Sequence, residues 1–77
     1  PIRVNAICPG FIEGEWLEKG MGAEMYEAVK SQVQTTTPLK KTCSPESIAE
    51  VIFNLIESSE LMTGQLVTVD GGASLNL

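Results

Sequence analysis

Apolar side chains at Ile2, Val4, Ala6, Ile7 and Cys8 fall in both phases of the alternation, and Pro9-Gly10 follows them. A short β-branched run covered on both faces reads as an interior strand of a parallel sheet, residues 2–8. From Phe11 to Lys41 the pattern is irregular and then helical. Glu13 to Gly20 holds a short helix between glycines, and Ala23 to about Gln34 carries Met25, Ala28, Val29 and Val33 at helical spacing. Thr35-Thr36-Thr37-Pro38 closes that helix, since a residue before proline is driven from the α region. The region 11–41 is therefore expected to be a helical flap.

The next helix, 44–58, has the plainest signals. Ser44 suits the N-cap, Pro45 the first helical position and Glu46 the positive end of the dipole. Ile48, Val51, Ile52, Leu55 and Ile56 predict one buried stripe, widened by Ala49 and Phe53. Thr63-Gly64 turns the chain into a second strand, 65–69, closed by Asp70-Gly71-Gly72. Strand, helices and strand in this order make a β-α-α-β unit whose strands should be parallel. Two strands leave two open edges, and one helix covers one face. Such a unit reads as the terminal part of a larger doubly wound parallel sheet of the α/β class. The start at Pro1 rather than Met fits that expectation.

Composition narrows the chemistry. The 77 residues are 43% hydrophobic and 19% charged, which is ordinary for a folded domain. A net charge of −5 argues against a nucleic-acid or anionic-membrane surface, both of which need clustered cations. No apolar run approaches the roughly 20 residues of a spanning helix. The absence of histidine removes Ser-His-Asp and Cys-His nucleophile systems and His-ligated zinc. Cys8 and Cys43 share no metal-type spacing, and reduced thiols point to a cytoplasmic protein.

Three blocks now stand in order: Arg3-Val4-Asn5-Ala6-Ile7-Cys8-Pro9-Gly10-Phe11-Ile12, then Ser44-Pro45-Glu46-Ser47-Ile48-Ala49, then Thr63-Gly64-Gln65 through Val69-Asp70-Gly71-Gly72. Together they resemble the carboxy-terminal third of short-chain dehydrogenases/reductases, essentially end to end. The resemblance implies that the two strands are the sixth and seventh of the family's Rossmann-type, doubly wound parallel sheet. It implies NAD or NADP as cofactor and a carbonyl or alcohol as small-molecule substrate. Pro9-Gly10 would turn the chain beside the nicotinamide, and the backbone at Ile12 would bind its carboxamide. Gly14 stands where the family often has a cofactor-contacting Thr, so that contact would be lost or made by backbone. Glu15 to Met25 would form the substrate flap, with Trp16, Met21 and Met25 as pocket walls.

Other features weigh differently. Tyr26-Glu27-Ala28-Val29-Lys30 matches the family's catalytic Tyr-x-x-x-Lys. In the family, however, that pair precedes the strand ending in Pro-Gly, and between Pro1 and Met25 there is no Ser or Thr to accompany it. A solvated helix face is the expected reading, and no catalytic residue is assigned. Gly20-Met21-Gly22 lacks the third glycine of a dinucleotide turn and follows no strand, so it reads as a joint between flap helices. Glu13, Glu15 and Glu18 read as acidic loop surface, and Lys40-Lys41 as surface. Asn5 is expected to hydrogen-bond backbone, and Asp70 to start an Asp-Gly turn. Cys8 reads as a buried, inert thiol.

Two functions follow as expectations. One is part of an oxidoreductase moving a hydride between NAD(P)(H) and an alcohol or ketone, inactive without the remainder of its domain. The other is a non-catalytic assembly module, because the family's last helix and strand commonly meet a partner subunit. A homo-oligomer, dimer or tetramer, goes with either.

Overall fold

The computed structural model describes residues 1–75. Its order is β1 (Ala6–Pro9), α1 (Glu15–Met21), α2 (Ala23–Thr36), α3 (Pro45–Ser58) and β2 (Leu66–Val69). The strands pair in parallel, with Ala6 opposite Leu66 and Pro9 opposite Val69. Three helices lie between the strands, one more than the expected β-α-α-β unit, because the flap region 11–41 holds both α1 and α2.

The first strand is shorter at its start than its hydrophobic pattern suggested. Its would-be partner before Gln65 is a turn, with Gly64 at φ 72, so no ladder can form there. Side chains tie residues 3–5 instead. The Val4 N–H donates to Thr63 Oγ1 at 3.1 Å, and the Val4 carbonyl accepts from Gly64 at 2.7 Å. Asn5 donates through Nδ2 to the Met62 carbonyl at 3.1 Å and accepts through Oδ1 from the Gln65 N–H at 3.0 Å. That is the structural role expected of a strand asparagine. At the other end Pro9 stays in the strand. The ladder passes it through the Gly10 N–H, which donates to the Val69 carbonyl at 3.1 Å, so the missing proline donor is not needed.

Helix α3 is capped at both ends. Ser44 Oγ accepts from the Ser47 N–H at 3.1 Å, and Pro45 opens the first turn. At the far end the Arg3 guanidinium donates to the carbonyls of Leu55, Ile56 and Met62 at 3.3, 3.2 and 3.1 Å. A cation there complements the negative end of the helix dipole and satisfies carbonyls that lack intrahelical partners.

Helix α2 ends as its sequence predicts, with Thr37 extended at φ −76, ψ 149 before Pro38. Its inward stripe is rotated from the expected one. Met25 and Ala28 are exposed, whereas Tyr26 is 5% exposed and Val29, Lys30 and Val33 are half-buried. The solvated-face reading of Tyr26 is therefore corrected. Tyr26, Val29 and Val33 lie at i, i+3 and i+7, so they too fit one face, and packing selects it.

Few side chains are well buried. Tyr26, Cys43 and Ile48 form the buried hydrophobic set, with Thr37 beside them as the buried polar residue. The stripe on α3 is only partly covered: Ile48 is buried, but Ile52, Phe53 and Ile56 are 42%, 61% and 65% exposed. The accessible surface is 5897 Å², against about 4,600 Å² expected for a compact monomer of this length. A two-stranded sheet offers α3 too little surface to bury against. Among the described residues, no helix is long and apolar enough to cross a membrane.

Candidate cofactor and substrate site

Beyond the carboxyl end of β1 the chain runs from Gly10 to Gly14 as a short extended segment. Ile12 forms a parallel bridge with Cys43. The Cys43 N–H donates to the Phe11 carbonyl at 2.8 Å, and the Glu13 N–H donates to the Cys43 carbonyl at 2.9 Å. In a parallel bridge made this way, the bridged residue's own N–H and C=O point away from its partner. Among the described residues neither group of Ile12 has a hydrogen-bond partner. A donor and an acceptor thus stand side by side on one open edge.

Ile12 also lines a cavity of about 430 Å³, together with the other residues from Gly10 to Leu17 and Pro45. Of the residues expected at the site, Gly10, Ile12, Gly14 and Trp16 come together here. Pro9 does not line it; it sits behind, paired with Val69. Met21 and Met25 line a separate hollow at the joint of α1 and α2. The expected single wall of Trp16, Met21 and Met25 is therefore split, because the glycine joint between the helices carries the methionines away from the strand ends. A cleft of about 460 Å³ between the end of α2 and the turn after β2 is comparable in size. Its buried Thr37 hydroxyl donates to the Val33 carbonyl at 2.8 Å.

Both main-chain groups of Gly14 are engaged within the fold: its N–H donates to Tyr26 Oη at 3.1 Å and its carbonyl accepts from the Glu18 N–H at 3.1 Å.

Other residues build the site without having been singled out. Phe11 lies against Tyr26, ring centroids 5.4 Å apart and planes at 42°. Glu13 is no free acidic surface: Oε1 meets Lys30 Nζ at 2.7 Å and Oε2 accepts from the Thr42 hydroxyl. Those hydrogen bonds, from Lys30 first and then Thr42, hold the Glu13 carboxyl below the usual range. Asp70 at the end of β2 accepts from the Gly72 N–H at 2.9 Å and the Ser74 N–H at 2.8 Å. Hydrogen bonds from Ser74, then from Gly72, lower its carboxyl as well. Cys8 and Cys43 are free thiols, and Cys43 Sγ lies 3.4 Å from the Val69 carbonyl oxygen. No cluster of metal-binding side chains occurs among the described residues.

Both lowered carboxyls make the fold acid-sensitive. A group whose pKa is depressed by folding stabilises the fold above its unfolded value, about 4, and loses that contribution as pH falls through the folded value. Denaturation midpoints should therefore be flat above about pH 6 and decline below about pH 5. Asp70→Asn and Glu13→Gln should each flatten the decline; a midpoint profile unchanged in both variants would contradict the assignment.

Known proteins resemble this chain in sequence and fold. A family model described as enoyl-(acyl carrier protein) reductase matches residues 1–74. The chain belongs to the short-chain dehydrogenase/reductase family. A solved small-chain dehydrogenase in complex with NADPH superposes at a TM-score of 0.82 with 40% identity, over 94% of this chain and 32% of that one. A 4-hydroxyisoleucine dehydrogenase mutant complexed with NADH and succinate superposes at 0.74 with 31% identity, over 95% of this chain and 29% of that one. The 3-oxoacyl-[acyl-carrier-protein] reductase FabG of Thermotoga maritima is 39% identical over 72 residues, 92% of this chain and 27% of the relative. The chain thus spans less than a third of the length of these family members. Members of the family are oxidoreductases whose solved structures include NADPH and NADH complexes.

Proposed function

We propose that this chain forms the nicotinamide-side wall and substrate flap of an NAD- or NADP-dependent short-chain dehydrogenase/reductase. The observation that carries the reading is that the N–H and C=O of Ile12, a residue lining the cavity, have no hydrogen-bond partner among the described residues. A nicotinamide carboxamide presents one carbonyl acceptor and one amino donor, the complement of that pair. The site's position also fits, since ligands of open α/β sheets bind outside the carboxyl ends of the strands.

When bound, the cofactor supplies the hydride. What these residues do is bind and orient. The Ile12 edge would fix which ring face meets the substrate, and Gly10 lets the strand end pass close to Asp70. Phe11, Trp16 and Leu17 supply apolar surface that excludes water from the transfer. Trp16, 86% exposed, stands at the rim as the flap residue able to close on an alcohol or ketone.

Within the family the chain corresponds to the carboxy-terminal portion of the domain. The strand closed by Pro9-Gly10, with no glycine-rich turn leading into a helix, supports that placement. The missing sheet would cover the exposed face of α3. The 77 residues alone are then inactive, as they hold neither a serine-accompanied Tyr-x-x-x-Lys nor a dinucleotide turn. A cytoplasmic homo-oligomer acting on small molecules belongs to the same reading. The alternative of a non-catalytic assembly module draws on the exposed Ile52, Phe53 and Ile56, which a partner could cover equally well.

A graft decides between them. The 72 matched residues of the Thermotoga reductase are replaced by those of this chain. The chimera should fold, bind a reduced nicotinamide cofactor and reduce a 3-oxoacyl substrate. A folded chimera without cofactor binding would favour the assembly module, and turnover of a ketone by the isolated 77 residues would overturn the carboxy-terminal placement.

A further inference from the structure

We propose that Tyr26 and Lys30 are positioning residues that fasten the flap to the cofactor-binding edge, so that the aim of Ile12 depends on where α2 sits. The inference rests on the reading of Ile12 as the carboxamide contact and adds to it the device that holds Ile12 in place.

Ile12 itself is held by backbone alone. Its neighbours carry the side-chain restraints, and two residues of α2 supply three of them. The buried Tyr26 ring packs on Phe11, one residue before Ile12, with centroids 5.4 Å apart. The same residue's Oη accepts the Gly14 N–H at 3.1 Å, two residues after it. One turn further along α2, Lys30 Nζ reaches Glu13 Oε1 at 2.7 Å. Positions i and i+4 share a helix face, so one stripe of α2 grips residues 11, 13 and 14 together. Glu13 passes the restraint on, because its second oxygen accepts from Thr42 beside the Cys43 bridge.

The Tyr-x-x-x-Lys spacing is thereby given a use other than acid–base chemistry. The phenol is turned to a backbone amide and the ammonium to a carboxylate. Since α1 starts directly after Gly14, displacement of the α1–α2 pair must pull on the segment containing Ile12. Flap position and cofactor hold are then a single mechanical unit.

The test measures NADPH and NADH dissociation constants, melting temperature and amide exchange at Ile12 and Gly14 in the full-length protein carrying this chain. Tyr26→Phe keeps the ring and removes the acceptor; it should weaken cofactor binding by about threefold to tenfold and speed exchange at Gly14. Lys30→Met should weaken binding by about twofold to fivefold, with Lys30→Arg restoring it. Lys30 is only half-buried, so its variant keeps the question open to measurement should Tyr26→Phe fold poorly. Lower melting temperatures with unchanged cofactor affinity in both variants would overturn the proposal, since the two residues would then be structural only. An unmodified protein that binds neither cofactor would overturn the reading of Ile12 itself, an outcome distinct from the first.

Discussion

Replacing Gly72 with alanine should destabilise the fold by about 2–5 kcal/mol, the largest effect expected of any single methyl group here. Two penalties coincide at this residue. Its φ is 91, a left-handed conformation that a side chain resists at a cost of about 1–2 kcal/mol. A Cβ built there would also lie 2.7 Å from Pro38 Cγ and 3.0 Å from Pro38 Cβ and Cδ. The proline ring has little freedom to withdraw, so the turn after β2 and the end of α2 must part. Overpacking of this kind costs about 1–3 kcal/mol. Chemical denaturation of Gly72→Ala beside Gly14→Ala provides the control. Gly14 has φ 162, ordinary extended backbone, and nothing within 4 Å of its added Cβ. Its variant should stay within about 0.5 kcal/mol of the parent. Equal midpoints for the two variants would show that Gly72 is not constrained as described.

Replacing Gly10 with valine should act on stability and function together. A Cβ there would meet Asp70 Cβ at 2.9 Å and Asp70 Cα at 3.0 Å, and the second of these is main chain. Asp70 cannot easily yield, because its carboxylate is held by the Gly72 and Ser74 amides. The last rung of the sheet, Gly10 N–H to the Val69 carbonyl, must therefore stretch. A loss of about 1–3 kcal/mol follows from the steric conflict. Ile12 lies two residues on, so the same shift displaces the carboxamide contact. Misplacement of about 1 Å at a reacting centre can cost on the order of 10²-fold in rate. The Gly10→Val form of the reductase chimera should accordingly lose ketone reduction far beyond what its melting curve explains. Activity that falls only in proportion to the folded fraction would detach Gly10 from the site.

Much of the local structure could be read from residue order. The Ser44-Pro45-Glu46 start of α3, the stop at Thr37-Pro38 and the turns at Thr63-Gly64 and Asp70-Gly71 each rest on chemistry confined to a few neighbouring residues. The role of Asn5 was legible for a related reason, since a strand amide needs partners and the nearest backbone provides them. Capping and turn geometry do not depend on distant residues, so a linear pattern suffices.

The site was legible only in part. Gly10, Ile12, Gly14 and Trp16 do share a cavity, but Met21 and Met25 do not join them. Hydrophobicity marks a methionine as wanting cover and is silent on which hollow supplies it. Glu13 read as solvated acid and Tyr26 as a solvated phenol, because the residues that pair with them, Lys30, Thr42 and Gly14, are 12 to 29 positions away.

What the order of residues determined by itself is the succession of strand, helices and strand, the helix ends and the turns, all governed by steric and hydrogen-bonding rules acting over a few residues. What only the tertiary structure decided is the face α2 presents, the shortened start of β1 and the outward aim of the Ile12 backbone. Those three depend on the packing partner, and partners meet in space: Tyr26 faces inward because Phe11 and Gly14 lie there, and Ile12 faces outward because Cys43 occupies its other side.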